Sequence, residues 1–112
     1  MSIDAFEIDE LIARLDPAEG RDDYAEFFRA DTLSLTVVLW PAGSVDDQTP
    51  HAEDEVYFIH SGRATLRVGD EEREVGPGTI AFVGAGVEHN FHSIEEDLQV
   101  LVFWSPPWHA NE

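Results

Sequence analysis

At 112 residues the chain has room for one domain, and its 24 Asp and Glu against 6 Lys and Arg give a formal charge of -18. A chain this acidic, with no basic patch, is repelled by nucleic acid and by anionic lipid, which excludes partners of either kind. Three Trp, two Tyr, seven Phe and a 43% hydrophobic content still supply a core, and no apolar run approaches the roughly 18 residues of a membrane span.

The absence of cysteine removes disulfide frameworks, thiolate nucleophiles and zinc-finger sites together. It fits a reducing cytoplasm, and the N-terminus has no basic stretch followed by an apolar one, so a cytoplasmic location is expected and a secretory leader is not. All six basic residues are Arg, so lysine chemistry such as Schiff-base formation is unavailable. An acidic surface without lysine suits a halophilic setting. In molar salt the Debye length falls to roughly 3 Å and self-repulsion is screened. The charge therefore reads as an adaptation to solvent.

Residues 4–15 read as a short helix, with Asp4 and Glu7 at capping-box spacing, Leu11, Ile12 and Leu15 as its apolar stripe, and Pro17 as its stop. After a polar link at 20–23 the period changes to two. Strands are predicted over 28–30 and 33–39, then 55–60, 63–68, 71–75, 79–83, 87–92 and 98–104, with glycine at the corners. Ser105 opens a tail whose Pro106-Pro107-Trp108 cannot extend a ladder. Many short strands at regular spacing predict an all-β sandwich or small barrel. The expected division is a helical segment over 1–20, a barrel over 21–105 and a tail over 106–112. In the strand 55–60 both faces are largely apolar, which calls for either an internal layer or a dimer partner over the outer face.

One pattern in the chain carries chemistry. Its first half is Gly43, five residues, Thr49, one residue, His51, three residues, Glu55, six residues, Gly62. Its second is Gly78, five residues, Gly84, one residue, Gly86, two residues, His89, three residues, Ser93. This resembles the two signature motifs of the cupin superfamily, small barrels of the double-stranded β-helix (jelly-roll) type. The resemblance covers about 43–93, and it implies a metal held inside the barrel by His51, Glu55 and His89. Thr49 stands where the family has a further His, Gly84 where it has Pro, and Ser93 where it has Asn. A shifted alignment pairing His51 with Glu53 breaks the glycine spacing.

Two imidazoles and a carboxylate suit one divalent transition metal: Fe, Mn, Zn, Ni or Co, with Fe(II) the first choice. Three protein ligands leave coordination positions open, as a two-His-one-carboxylate oxygenase requires. Thr49 and Gln48, and more remotely Glu53, are candidates for weak ligation or for holding a water. The plainer reading of His51 and His89 is hydrogen-bonded structural histidine. Against it stands Glu55, because a buried carboxylate with neither metal nor partner costs several kcal/mol or goes neutral. By alternation His60 and His92 face away, as structural residues or dimer contacts, and His109 in the tail is assigned no role.

Tyr57 shares a face with Glu55, and its hydroxyl is the candidate catalytic donor or acid. Phe91 shares a face with His89 and either lines the cavity or fills the core. Ala64, Leu66 and Val68 are expected inside and Arg63, Thr65 and Arg67 outside, which leaves no arginine for a phosphate within the barrel. The expected function is a metal-dependent, oxygenase-type enzyme for a small chelating substrate, with lyase or isomerase chemistry behind it. The alternative is a non-catalytic metal or small-ligand module, a sensor or carrier. Homodimerisation is expected through the outer apolar face, together with the 104–108 tail.

Overall fold

The computed structural model describes residues 3–110. Met1, Ser2, Asn111 and Glu112, at the ends of the expected helical segment and tail, lie outside them. In chain order the elements are α1 (Ile8–Ala13), β1 (Asp23–Arg29), β2 (Ser34–Trp40), β3 (Asp54–Ser61), β4 (Ala64–Val68), β5 (Glu71–Val75), β6 (Ile80–Val83), β7 (His89–His92) and β8 (Leu98–Ser105). Every strand pairing is antiparallel, and the strands form a five-stranded sheet, β1-β2-β8-β3-β6, and a three-stranded one, β5-β4-β7. No described helix is long and apolar enough to cross a membrane.

The core lies between the sheets because alternation sends one face of each strand inward. Val38, Trp40, Tyr57, Ile59, Val100, Val102 and Trp104 come from the larger sheet, and Ala64, Leu66, Val75 and Phe91 from the smaller. As the parity of the hairpin requires, Ala64 and Leu66 are buried, Val68 packs against the core, and Arg67 turns outward to donate to Asn90 Oδ1 at 3.1 Å.

Gly62 closes the first motif at a point where no side chain fits. Its φ is +95°, and a Cβ there would collide with the Asp97 carbonyl oxygen and lie 2.8 Å from Leu98 Cα. Ser93 occupies the left-handed region at φ 52°, which Asn adopts more readily than Ser. This accounts physically for the usual residue at that position.

The helix is shorter than its sequence suggested. It starts at Ile8, the N-cap is Glu7 in extended conformation, and no side chain caps it, so the Asp4/Glu7 spacing makes no capping box. Phe6 instead docks edge-on against Phe27 and Phe28, with ring centroids 5.0 and 6.2 Å away, and this tertiary contact holds the preceding residues out of the helix. α1 lies against β2 on the outer side of the larger sheet. His60 reaches Asp9 Oδ1 at 2.8 Å, while His92 pairs with Glu72 Oε1 at 2.9 Å. Both histidines are thus structural residues facing away from the barrel interior.

The residues after β8 are held by their own molecule, with the expected intermolecular role of the tail left as a proposal. The tail folds back on its own barrel: Trp108 N–H donates to Ser34 Oγ at 3.0 Å, and Arg29 donates to the Trp108 carbonyl at 3.0 Å. The Trp108 ring lies 4.3 Å from that of Trp104, where it can cover apolar surface inside the molecule.

Candidate metal centre

His51 arrives from the β2–β3 loop, Glu55 from the start of β3 and His89 from the start of β7, so the two motif halves meet across the two sheets. His51 Nε2 lies 3.0 Å from Glu55 Oε1 and 3.3 Å from His89 Nε2, and His89 Nε2 lies 2.7 Å from the same Oε1. Each imidazole is oriented from behind. His51 Nδ1–H donates to the Glu53 carbonyl at 3.1 Å and His89 Nδ1–H to the Val87 carbonyl at 2.9 Å. With those protons assigned, both neutral rings turn bare Nε2 lone pairs inward.

Three electron pairs converging on one point repel unless positive charge sits among them. A proton can supply it: burial opposes charging His89, but the hydrogen bonds to Glu55 and to the Val87 carbonyl, with the charges of Glu55 and Asp46, outweigh that and raise its pKa above 6.5. A divalent ion supplies more. Donors in adjacent positions around an ion with bonds of about 2.0–2.2 Å sit about 3 Å apart, which is the scale of this triangle. Glu55 Oε2 gives a second indication, because it is buried with no hydrogen-bond partner among the described residues. Leaving it dry costs about 1–3 kcal/mol, and more for a charged group. The donors, their orientation and the orphaned oxygen all fit a metal.

The next layer orders these groups. Tyr57 O–H donates to Glu55 Oε1 at 3.0 Å, and Gln48 Nε2 donates to the Tyr57 oxygen at 3.4 Å and to Asp46 Oδ2 at 2.8 Å. Asp46 Oδ2 also accepts the Phe91 backbone N–H at 2.8 Å, which ties the β2–β3 loop to β7. Burial raises the Asp46 pKa, partly offset by these hydrogen bonds. Burial, and then the charge of Glu55, pushes Tyr57 well above 10, so it holds its proton at neutral pH.

Gln48 thus supports the site through Tyr57, and Thr49 lies exposed on the cavity wall. Glu53 sits behind His51, its Oε1 3.7 Å from Nδ1 and its Oε2 accepting the His109 backbone N–H at 2.9 Å. His109, given no role from sequence, therefore anchors the tail through its backbone. Asp46, Trp104 and Trp108 were missed as site residues. Nothing in the spacing marks a loop aspartate or a tail tryptophan, and only the folded chain brings Trp104 and Trp108 edge-on to His51, at 4.8 and 5.6 Å.

The centre opens into a cavity of about 330 Å³ walled by Val38, Trp40, Tyr57, Val102, Trp104 and Trp108. That volume lies at the lower end of small-molecule pockets, about 300–1,000 Å³.

Comparison with known proteins places this architecture. Residues 35–105 match the family model described as Cupin domain. The chain is 48% identical over 103 residues to an uncharacterised protein of Streptomyces coelicolor, a match covering 92% of this chain and 96% of that one. It is 35% identical over 78 residues to the dimethylsulfoniopropionate lyase DddQ of Ruegeria pomeroyi, covering 69% of this chain and only 39% of the lyase. The crystal structure of DddQ superposes with a TM-score of 0.73 at 28% identity, covering 80% of this chain and 49% of that one. That of TT1209 from Thermus thermophilus gives 0.81 at 24% identity over 94% and 99% of the two chains, a likeness of fold. On the family model and these relatives together, the chain belongs to the cupin family, and its barrel is a double-stranded β-helix.

Proposed function

We propose that this cupin is a metal-dependent enzyme of oxygenase type that acts on a small molecule bearing oxygen donors. The observation that carries the reading is the convergence of His51, Glu55 and His89 on one point, with Glu55 Oε2 buried and unpartnered beside a cavity. His51 and His89 would hold the ion by Nε2 and Glu55 by its carboxylate. Fe(II) suits the set, and when bound it supplies Lewis-acid polarisation and access to O₂. The protein's own contribution is orientation, proton supply and exclusion of water. The backbone carbonyls of Glu53 and Val87 fix the imidazoles, and Trp104 and Trp108 keep the His51 ring in an apolar wall. Tyr57 keeps a proton on its hydroxyl oxygen 3.0 Å from Glu55, where it can donate to a substrate oxygen as a hydrogen-bond donor or acid.

A lyase reading is favoured by one specific observation, the 35% identity to DddQ, and the elimination it implies would need a base to take a C–H proton as the neutral sulfide leaves, a role open to Tyr57 only as its phenolate. The two are separated by loading the protein with Fe(II) and following O₂ uptake with 1,2-dicarbonyls, catechols and thiols, and then assaying cleavage of dimethylsulfoniopropionate without O₂. Turnover coupled to O₂ supports the oxygenase, and anaerobic cleavage the lyase. Stoichiometric metal with neither activity supports a binding module.

We further propose that two copies pair through the outer face of the larger sheet. There Ile80 is 69%, Phe82 63% and Phe103 39% exposed, beside the half-buried Val56 and Phe58. In a chain of charge -18 this is a surface free of the repulsion that keeps other surfaces of two copies apart.

A further inference from the structure

Glu53 is a carboxylate at 4% exposure, and among the described residues no Arg pairs with it. Its two oxygens serve different neighbours. Oε1 lies 3.7 Å from His51 Nδ1, and Oε2 accepts the His109 backbone N–H at 2.9 Å. Burying a carboxylate on one neutral hydrogen bond is costly unless positive charge lies close by. The His51 ring is where such charge can come from. An ion bound at Nε2 draws electron density from the ring and makes Nδ1–H a stronger, charge-assisted donor. That N–H already donates to the Glu53 backbone carbonyl at 3.1 Å, so the carbonyl and the carboxylate of one residue flank the same proton.

The other oxygen of Glu53 holds the tail across the cavity. Three bonds fasten the Trp108–His109 peptide: Trp108 N–H to Ser34 Oγ, Arg29 to the Trp108 carbonyl, and His109 N–H to Glu53. Arg29 is also paired with Glu26 at 2.9 Å, which anchors that clip on β1 at the cavity wall. So placed, the Trp108 ring lies edge-on to His51. Of the three fastenings, the one on Glu53 is shared with a candidate metal ligand.

We infer that Glu53 is a positioning residue that couples the tail to the metal centre: one carboxylate oxygen steadies His51 from behind while the other holds residues 108–109 over the cavity. The inference rests on the metal reading proposed above. It adds that filling the centre tightens the tail, so that the ion and the Trp108 wall favour each other. Without positive charge on His51 little holds Oε1, and a carboxylate that turns outward toward water loses the His109 bond. With the ion in place both oxygens are satisfied in one rotamer, and turning away gives up the attraction to His51 as well. Such coupling is reciprocal: whatever the metal adds to tail docking, tail docking adds to metal affinity. The loaded site is thereby also the walled site, with the Trp108 ring beside His51 when substrate arrives.

Two readouts on the full chain test this. One is Zn(II) affinity, by competition with a chelator, and the other is hydrogen exchange of the Trp108 and His109 backbone amides, followed by NMR with and without Zn(II). In the wild type, Zn(II) should slow exchange at His109 by about tenfold. Glu53→Gln keeps an acceptor for that amide and removes the charge. It should weaken Zn(II) binding by about tenfold or more and abolish the slowing that Zn(II) produces. A merely structural Glu53 would lower the melting temperature and leave that slowing intact. Arg29→Ala loosens the tail at a side chain 45% exposed, and it carries the test alone if Glu53→Gln does not fold. It should weaken Zn(II) by about threefold in the wild type, with no further loss in the Glu53→Gln background. Unchanged Zn(II) affinity in either folded single variant overturns the inference and leaves the metal reading standing. So does His109 exchange that is indifferent to Zn(II) in the wild type, or an additive loss in the double variant, which would route the coupling elsewhere. Failure of the wild type to retain Zn(II) overturns the metal reading and this inference with it.

Discussion

The two faces of β3 reverse the usual division of a soluble barrel. Inward, Glu55 and Tyr57 put a carboxylate and a hydroxyl where each residue is only 1% exposed, while outward Val56 and Phe58 border Ile80 and Phe82, which face solvent. A buried polar group is tolerated when something satisfies it, and an exposed apolar patch of this extent persists when something covers it. Among the described residues the inner face satisfies all but one of its groups: Tyr57 has Glu55 and Gln48, Glu55 Oε1 accepts the Tyr57 O–H, and Oε2 is left, which points to an ion. The outer face has no such local solution. α1 leans on the β2 side of the sheet and leaves β6 bare, and this is the surface on which the proposed second copy would sit. Parity alone thus separates the face on which the ion is proposed from the face on which a second copy is proposed.

The largest effect is expected from removing a ligand on the inner face. His51→Ala, His89→Ala or Glu55→Ala should weaken metal retention by more than about 100-fold while the barrel stays folded in high salt. Elemental analysis after dialysis, with circular dichroism alongside, checks both parts, and full metal occupancy in these variants would refute the ligand set. Tyr57→Phe keeps the ring and removes the proton, so turnover should fall about 100-fold or more with metal content unchanged. Turnover at the wild-type rate would remove Tyr57 from the chemistry.

Gly62→Ala attacks the backbone turn between β3 and β4 instead of either face. A strained φ alone costs about 1–3 kcal/mol, and the collision with the 97–98 backbone adds to it, so the melting temperature should fall by about 10 °C or more. A change of only a degree or two would show that the turn can relax. On the outer face, Ile80→Asp with Phe82→Asp should convert a dimer to a monomer in sedimentation at high salt while leaving metal content intact. A wild-type chain that sediments as a monomer would refute the pairing outright.

The smallest effect concerns Asp46, which supports the inner face through Gln48 and Phe91. Its folded pKa is raised above 3.8, so over the interval between the two values the native state holds a proton that the unfolded chain has lost. The Asp46 contribution to stability is therefore most favourable below pH 3.8 and declines as pH rises through the folded value. Melting temperatures of wild type and Asp46→Asn across that interval should show the wild type losing ground to the variant as pH increases. The opposite slope would mean that hydrogen bonds to the carboxylate outweigh its burial.

Most of the fold was legible in the chain because strands of period two alternate with glycine corners, and neither signal needs distant contacts. The 43–93 motif likewise located His51, Glu55 and His89, which the structure brings within hydrogen-bonding distance of one another. The helix start was misread because Phe6 is held by Phe27 and Phe28, partners some twenty residues away that outweigh a local spacing rule. Asp46 was overlooked for a similar reason. A loop aspartate becomes part of the centre only when β7 brings the Phe91 backbone N–H to it.

The sequence by itself determined the strand pattern, the excess of acid over base, and the identity of two imidazoles and a carboxylate at fixed spacing, because alternation, composition and local turns are properties of neighbouring residues. The tertiary structure alone decided that these three side chains share a point, that Glu55 keeps one oxygen dry, and that Trp108 of the tail lines the cavity beside them. Those are distances between residues far apart in the chain, and only closing the two sheets on one another fixes them.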